Sequence, residues 1–135
     1  MDQLFFLLLL ILCGGAVLRF FGKRSAASAQ KRHGWRTLTH DQAKERLDSG
    51  DPVILLDVRT QEEYETRHIP DAVCLPVEDL GPDMPVAFDP GAEILVYCRS
   101  GRRSAQAAER LSRLGYTNVS DFGGILDWPY ETTAE

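Results

Sequence analysis

The most informative run in this 135-residue chain reads Glu93-Ile94-Leu95-Val96-Tyr97-Cys98-Arg99-Ser100-Gly101-Arg102-Arg103-Ser104. Its first five residues have the β-branched and aromatic composition of a short buried strand. The residues from Ser104 to Leu114 have helical spacing, and Gly115 follows them as a favoured residue just past a helix end. Cys98 is therefore predicted to lie on a turn between a strand and a helix.

This turn is suited to a reactive thiolate at Cys98. The first amides of a helix lack internal partners and carry the positive end of the helix dipole, so a loop that wraps toward them can hold an anion. Gly101 allows the backbone to approach closely. Helix N-termini and nearby cations lower the pKa of a cysteine thiol from about 8.5 to roughly 3.5–7.5. The alternative is a buried core cysteine beside solvated arginines.

The rest of the sequence alternates strand and helix patterns. Thr39 and Thr60 are each followed three residues later by Gln or Glu, and these capping boxes predict helix starts near residues 40 and 61. Apolar runs predict parallel strands at residues 53–57, 73–75, 93–97 and 118–122. This alternation predicts an α/β domain, in which ligands bind at the carboxyl ends of the strands, where Cys98 falls.

Several motifs in chain order carry a family resemblance that runs from about Thr37 to Tyr130. They are Val53-Ile54-Leu55-Leu56-Asp57-Val58-Arg59, Glu62-Glu63-Tyr64, His68-Ile69-Pro70 with Ala72, the loop from Cys98 to Ser104, and Gly123-Gly124-Ile125-Leu126-Asp127-Trp128. Together they resemble a single-domain rhodanese, a sulfurtransferase. The resemblance implies a parallel five-stranded sheet with helices on both faces. The sequence departs from the family pattern at Arg67 and Asp71, where glycine is common in the family.

The resemblance also implies a mechanism and a set of site residues. Cys98 would accept a sulfane sulfur from a small anionic donor such as thiosulfate, become a persulfide, and pass the sulfur to cyanide or a thiol. The loop amides would hold the persulfide, and the Arg103 side chain would bind the donor. The substrate-binding candidates are Arg99, Ser100, Gly101, Arg102, Arg103 and Arg59. For Arg59 the alternative is a structural ion pair.

Other cysteines and cofactors have a smaller place in this interpretation. Cys74 lies in an apolar strand and is interpreted as a packed residue, with a resolving thiol as the alternative. Trp128 is expected either to wall the pocket or to pack in the core. None of the three cysteines has zinc-site spacing, so neither a metal site nor a disulfide framework is expected. No cofactor is expected.

Two other functions remain open. Related thiolate phosphatases and arsenate reductases place an arginine six positions after the cysteine, whereas here that position is Ser104 and Arg103 comes one residue earlier. The shorter loop favours a sulfurtransferase. A non-catalytic rhodanese module that binds partners is the third interpretation, but such modules commonly lose the cysteine that this chain keeps.

The amino-terminal segment differs in composition from the rest. Residues 4–22 are apolar apart from Arg19, and the eighteen residues 4–21 span about 27 Å as a helix, close to a ~30 Å hydrocarbon core. We predict a transmembrane helix at 4–22, a basic linker at 23–34 and a rhodanese-like domain at 35–135. A cleaved signal peptide is the alternative, but no basic residue precedes the apolar run.

Charge predicts the orientation of this segment. Residues 1–36 carry six Lys or Arg and one acidic residue, whereas residues 37–135 carry nine basic and nineteen acidic residues. Because the basic flank follows the apolar run, the positive-inside rule places the domain in the cytoplasm, as a single-pass protein of the cell membrane. The acidic domain argues against nucleic acid as a partner. The expected partners are an anionic sulfur donor, a thiol acceptor, the membrane and an acceptor protein if one exists.

Overall fold

The computed structural model describes residues 34–135 and has a sheet of five parallel strands at its core. The strands are β1 (Trp35–Thr37), β2 (Val53–Asp57), β3 (Val73–Cys74), β4 (Glu93–Cys98) and β5 (Val119–Gly124). Their order across the sheet is β1-β5-β4-β2-β3, and every neighbouring pair is parallel. The predicted five-stranded parallel sheet is confirmed, and β4, which ends at Cys98, is its central strand.

Two of the three helices begin where their capping residues predict. They are α1 (His40–Asp48), α2 (Gln61–Thr66) and α3 (Arg102–Arg113), with two 3₁₀ turns at Val77–Asp79 and Ile125–Asp127. Thr39 and Thr60 form complete capping boxes, in which the threonine hydroxyl accepts from the amide three residues ahead and the side chain there accepts from the threonine amide. Both predicted helix starts are confirmed.

Buried side chains cover both faces of the sheet. On one face Ala107, Ala108 and Leu111 of α3 pack against a cluster that contains Leu56, Val96 and Cys98. The opposite face presents strand residues Leu55, Leu95, Tyr97 and Phe122, and it is covered by Ala43 of α1, Tyr64 of α2 and Trp128 of the carboxyl-terminal segment. Helices on both faces are therefore confirmed. Trp128 is 7% exposed and packs in this second cluster, so it is a core residue.

The turn around His68-Ile69-Pro70 tolerates the residues that replace the common glycines. Arg67 has φ −167°, an extended conformation open to any residue. Asp71 has φ +68°, in the left-handed region. Aspartate is less strained there than most residues because a short polar side chain is able to bond locally. The turn therefore accommodates both replacements, with Asp71 in a conformation that glycine adopts most readily.

Part of the sequence interpretation concerns residues that the structure does not describe. The predicted transmembrane helix at 4–22 and, apart from Gly34, the basic linker at 23–34 lie outside the described residues. Within residues 34–135, no helix has the length and apolar character that a membrane crossing requires.

Candidate active site

Cys98 lies at the carboxyl end of the central strand, with its sulfur held by the loop that follows. The side chain is 1% exposed. The backbone amide of Gly101 donates to Cys98 Sγ at 3.0 Å. Gly101 has φ +105°, a left-handed conformation that glycine adopts without strain, and it is the N-cap of the twelve-residue helix α3. The amino end of α3 therefore lies against the sulfur, where the helix dipole favours negative charge.

Ser104 is a buried polar neighbour of the sulfur that the sequence analysis did not identify as a site residue. Its side chain is fully buried, and its Oγ lies 3.5 Å from Cys98 Sγ. The hydroxyl also lies 3.1 Å from the Gly101 carbonyl oxygen and 3.3 Å from that of Gly123, to either of which it donates. In the sequence, Ser104 indicates only the length of the loop after Cys98 and the start of the predicted helix. Its contacts fix the sulfur between the loop and β5.

A β-bulge in β5 brings the backbone of that strand against the cysteine loop. Val96 pairs with Asp121 and Cys98 pairs with Gly124, so β5 contributes one residue more than β4 in this interval. A Cβ atom on Gly124 would lie 2.1 Å from the carbonyl oxygen of Arg99. The same carbonyl accepts from the amide of Leu126 at 3.2 Å. The loop is therefore packed directly on glycine backbone.

We expect Gly124→Ala to destabilise the fold by about 3 kcal/mol and to reduce any activity of Cys98, because the added methyl group meets backbone atoms that have no room to move. Urea unfolding measures the change in the free energy of unfolding. Gly81→Ala is the matched control, since a Cβ there meets nothing within 4 Å. Equal effects of the two substitutions would contradict the close packing of the loop.

Arg103, the predicted donor-binding arginine, forms an ion pair in the structure. Its Nη1 and Nη2 lie 2.7 and 3.0 Å from Glu63 Oε1 and Oε2, and both side chains are about 30% exposed. The hydrogen bonds from Arg103 lower the pKa of Glu63 to about 2, and those to Glu63 raise the pKa of Arg103. The Arg103 guanidinium thus lies at the end of the loop, and its two terminal nitrogens are bound by the Glu63 carboxylate of α2.

Arg59 lies in a buried ion pair rather than in the cysteine loop. It is 5% exposed, and its Nε and Nη2 donate to Asp57 at 2.9 and 2.6 Å. The Tyr97 hydroxyl donates to Asp57 Oδ2 at 2.7 Å, and burial raises the pKa of this phenol. Tyr97 belongs to the cluster on the face opposite to Cys98. Arg59 therefore forms the structural ion pair that was the alternative, and its contact with substrate stays a prediction.

The other loop residues remain accessible. Arg99, Ser100 and Arg102 are exposed, and Gly101 and Arg103 are half-buried. The outer side of the loop is therefore in contact with solvent. Within residues 34–135, no group of three or more His, Cys, Asp or Glu side chains is placed to hold a metal ion.

Cys74 lies across the sheet from the loop. It pairs with Asp57, which in turn pairs with Tyr97, and residues aligned across parallel strands share a face. Cys74 is therefore on the face opposite to Cys98. It is half-buried, its Sγ lies 3.9 Å from the Arg59 carbonyl oxygen, and burial raises its pKa. This placement agrees with a packed residue and not with a resolving thiol.

The fold and the site together define a class of protein: an α/β domain with a cysteine loop between the central parallel strand and the helix that follows. The family model for the rhodanese-like domain matches residues 39–130, and the chain belongs to this family.

Relatives with established names agree with this assignment. The chain is 38% identical over 73 residues to the thiosulfate sulfurtransferase PspE of Escherichia coli, a match that covers 53% of this chain and 70% of that protein. It is 39% identical over 85 residues to a sulfurtransferase of Allochromatium vinosum, covering 62% and 78%. A solved structure of rhodanese with anions from E. coli matches with a TM-score of 0.56 and 33% identity, covering 62% of this chain and 99% of that one.

Proposed function

We propose that the protein is a thiosulfate sulfurtransferase that works through a persulfide on Cys98. The observation that carries the proposal is the sulfur of Cys98 at the amino end of α3, with the Gly101 amide donating to it at 3.0 Å. This environment stabilises both a thiolate and the anionic persulfide that replaces it. The named sulfurtransferase relatives support the same chemistry.

The proposed reaction consists of two displacements. The Cys98 thiolate attacks the outer sulfur of thiosulfate, a new S–S bond forms, and sulfite leaves with the electron pair of the broken S–S bond. An acceptor then attacks the outer sulfur of the persulfide, and Cys98 leaves as a thiolate. With cyanide as acceptor the product is thiocyanate. Covalent catalysis of this kind gives ping-pong kinetics.

Intact mass of the purified protein tests the first displacement. Treatment with thiosulfate should add one sulfur atom, and cyanide should remove it again. The same sample should release no phosphate from an aryl phosphate and should not reduce arsenate with a thiol. Aryl phosphate hydrolysis without sulfur loading would support a thiolate phosphatase instead. If the protein shows neither sulfur loading nor phosphate hydrolysis, the result would support a partner-binding module.

Arg103→Ala should lower kcat/KM for thiosulfate by about tenfold or more, because a charge-assisted contact to an anion contributes roughly 1.5–3 kcal/mol. Steady-state rates at saturating cyanide give this value. Arg113→Ala is the control: this arginine lies at the far end of α3 and is 78% exposed. If Arg103→Ala matched the wild type, the backbone alone would hold the donor.

We further propose that residues 4–22 anchor the protein in the cell membrane with the domain in the cytoplasm. The apolar run and the basic residues that follow it support this proposal. The full-length protein should stay in the membrane fraction through high salt and alkaline carbonate, because ions do not screen apolar burial. Protease added outside intact cells should not cut the domain. A soluble mature protein that begins near Gln30, outside the cytoplasm, would show a cleaved export signal instead.

A further inference from the structure

Glu63 of helix α2 forms an ion pair with Arg103, at the helix end of the cysteine loop Cys98–Ser104. Its two carboxylate oxygens accept from the two terminal nitrogens of Arg103, at 2.7 and 3.0 Å. Its Oε1 also accepts from the amide of Thr60 at 3.3 Å and lies 3.2 Å from Thr60 Oγ1. The end-on pair of N–H groups, one on each terminal nitrogen of Arg103, is therefore occupied by a carboxylate of the protein.

Arg103 and Glu63 place opposite charges beside the cysteine loop. The Arg103 guanidinium lies close enough to Cys98 and to Glu78 for both to favour its charged form. The pKa of Glu63 near 2 keeps its carboxylate ionised throughout the neutral range. An anionic donor that reaches Cys98 thus meets the attraction of Arg103 and the repulsion of Glu63 together. To bind the two terminal nitrogens of Arg103 in a bidentate manner, the donor must displace Glu63.

We infer that Glu63 is a specificity-determining residue for the sulfur donor: its carboxylate, by holding Arg103, weakens the binding of doubly charged donors more than that of singly charged ones. The inference rests on the proposed sulfur transfer through Cys98. Coulomb energy scales with the charge of the donor, so the attraction to Arg103 that Glu63 competes with is twice as large for thiosulfate as for a monoanion. Donors of low charge, such as small thiosulfonates, are therefore disfavoured least.

Glu63→Gln tests the inference with little disturbance of the fold, because glutamine at this position preserves a capping box and removes only the charge. The two donors are thiosulfate, a dianion, and methanethiosulfonate, a monoanion. Each gives up its sulfane sulfur to the Cys98 thiolate, and sulfite or methanesulfinate leaves with the bonding electron pair. Cyanide accepts the sulfur, and kcat/KM for the donor reports the donor step alone.

The substitution should raise kcat/KM about 5- to 10-fold for thiosulfate and about 2- to 3-fold for methanethiosulfonate, the square root expected from half the charge. In an Arg103→Ala background Glu63→Gln should change the thiosulfate value by less than about twofold, since no guanidinium remains to be released. Glu62→Gln, an exposed acid in the same helical turn, is the matched control and should have an equally small effect.

Several outcomes would overturn the inference. An unchanged or lowered kcat/KM for thiosulfate in Glu63→Gln would mean that the carboxylate only positions Arg103. Equal gains with both donors would mean that the effect of Glu63 does not depend on donor charge. A full gain without Arg103 would mean that the carboxylate acts on the donor directly and not by holding Arg103. Failure of the wild-type protein to take up sulfur from either donor would contradict the proposed function itself, and intact mass separates that result from the others.

Discussion

Cys98→Ser is expected to reduce thiocyanate formation from thiosulfate and cyanide to the rate without protein. A serine hydroxyl is a far weaker nucleophile than a thiolate and is not ionised near neutral pH. The smaller oxygen still accepts from the Gly101 amide, so the variant should fold. Thiocyanate assays and intact mass after thiosulfate treatment measure the loss of transfer and the loss of the added sulfur.

Cys74→Ser is the matched control for this experiment. It removes the other cysteine among residues 34–135, on the opposite face of the sheet, and should leave the transfer rate within about twofold of the wild type. Transfer that persists in Cys98→Ser, or that disappears equally in Cys74→Ser, would contradict Cys98 as the sulfur carrier.

Asp57→Ala is expected to lower the free energy of unfolding by about 3–5 kcal/mol, because it leaves the buried Arg59 charge without its carboxylate. The Tyr97 hydroxyl loses its acceptor as well. Domains of this size are commonly stable by about 5–15 kcal/mol, so the loss takes much of the margin. Urea unfolding followed by circular dichroism gives the value.

Asp51→Ala provides the comparison, since Asp51 also pairs with an arginine, Arg46, but is 61% exposed. Exposed ion pairs contribute at most about 1 kcal/mol. If the two alanine variants lost similar stability, the buried pair would not contribute to the fold as its burial indicates.

Local sequence determined much of the fold in advance. The capping boxes at Thr39 and Thr60 each need only four consecutive residues, and the apolar run of β2 is unbroken, so both were predictable. Strand β1 could not be predicted, since its three residues are too few for a periodic pattern. It is a strand because it pairs with Val119, Ser120 and Asp121 along the edge of β5.

The site was predictable where the chain is continuous and not where distant segments meet. Cys98 and the start of α3 follow each other directly, so their juxtaposition could be expected. The pairing of Glu63 with Arg103 joins residues forty positions apart and depends on how α2 packs. The bulge that brings Gly124 to the loop likewise depends on the register between two strands.

The placement of the two described cysteines has a consequence for redox chemistry. Strand β2 separates their strands, so their Cα atoms lie about two strand spacings, or ~9.6 Å, apart. A disulfide needs Cα atoms within about 7 Å and side chains that converge. An oxidised or sulfur-bearing Cys98 therefore cannot be reduced by Cys74 without unpairing the sheet. Its recovery depends on a reductant or a sulfur acceptor from outside residues 34–135, which links the state of this cysteine to the thiols and other nucleophiles in its surroundings.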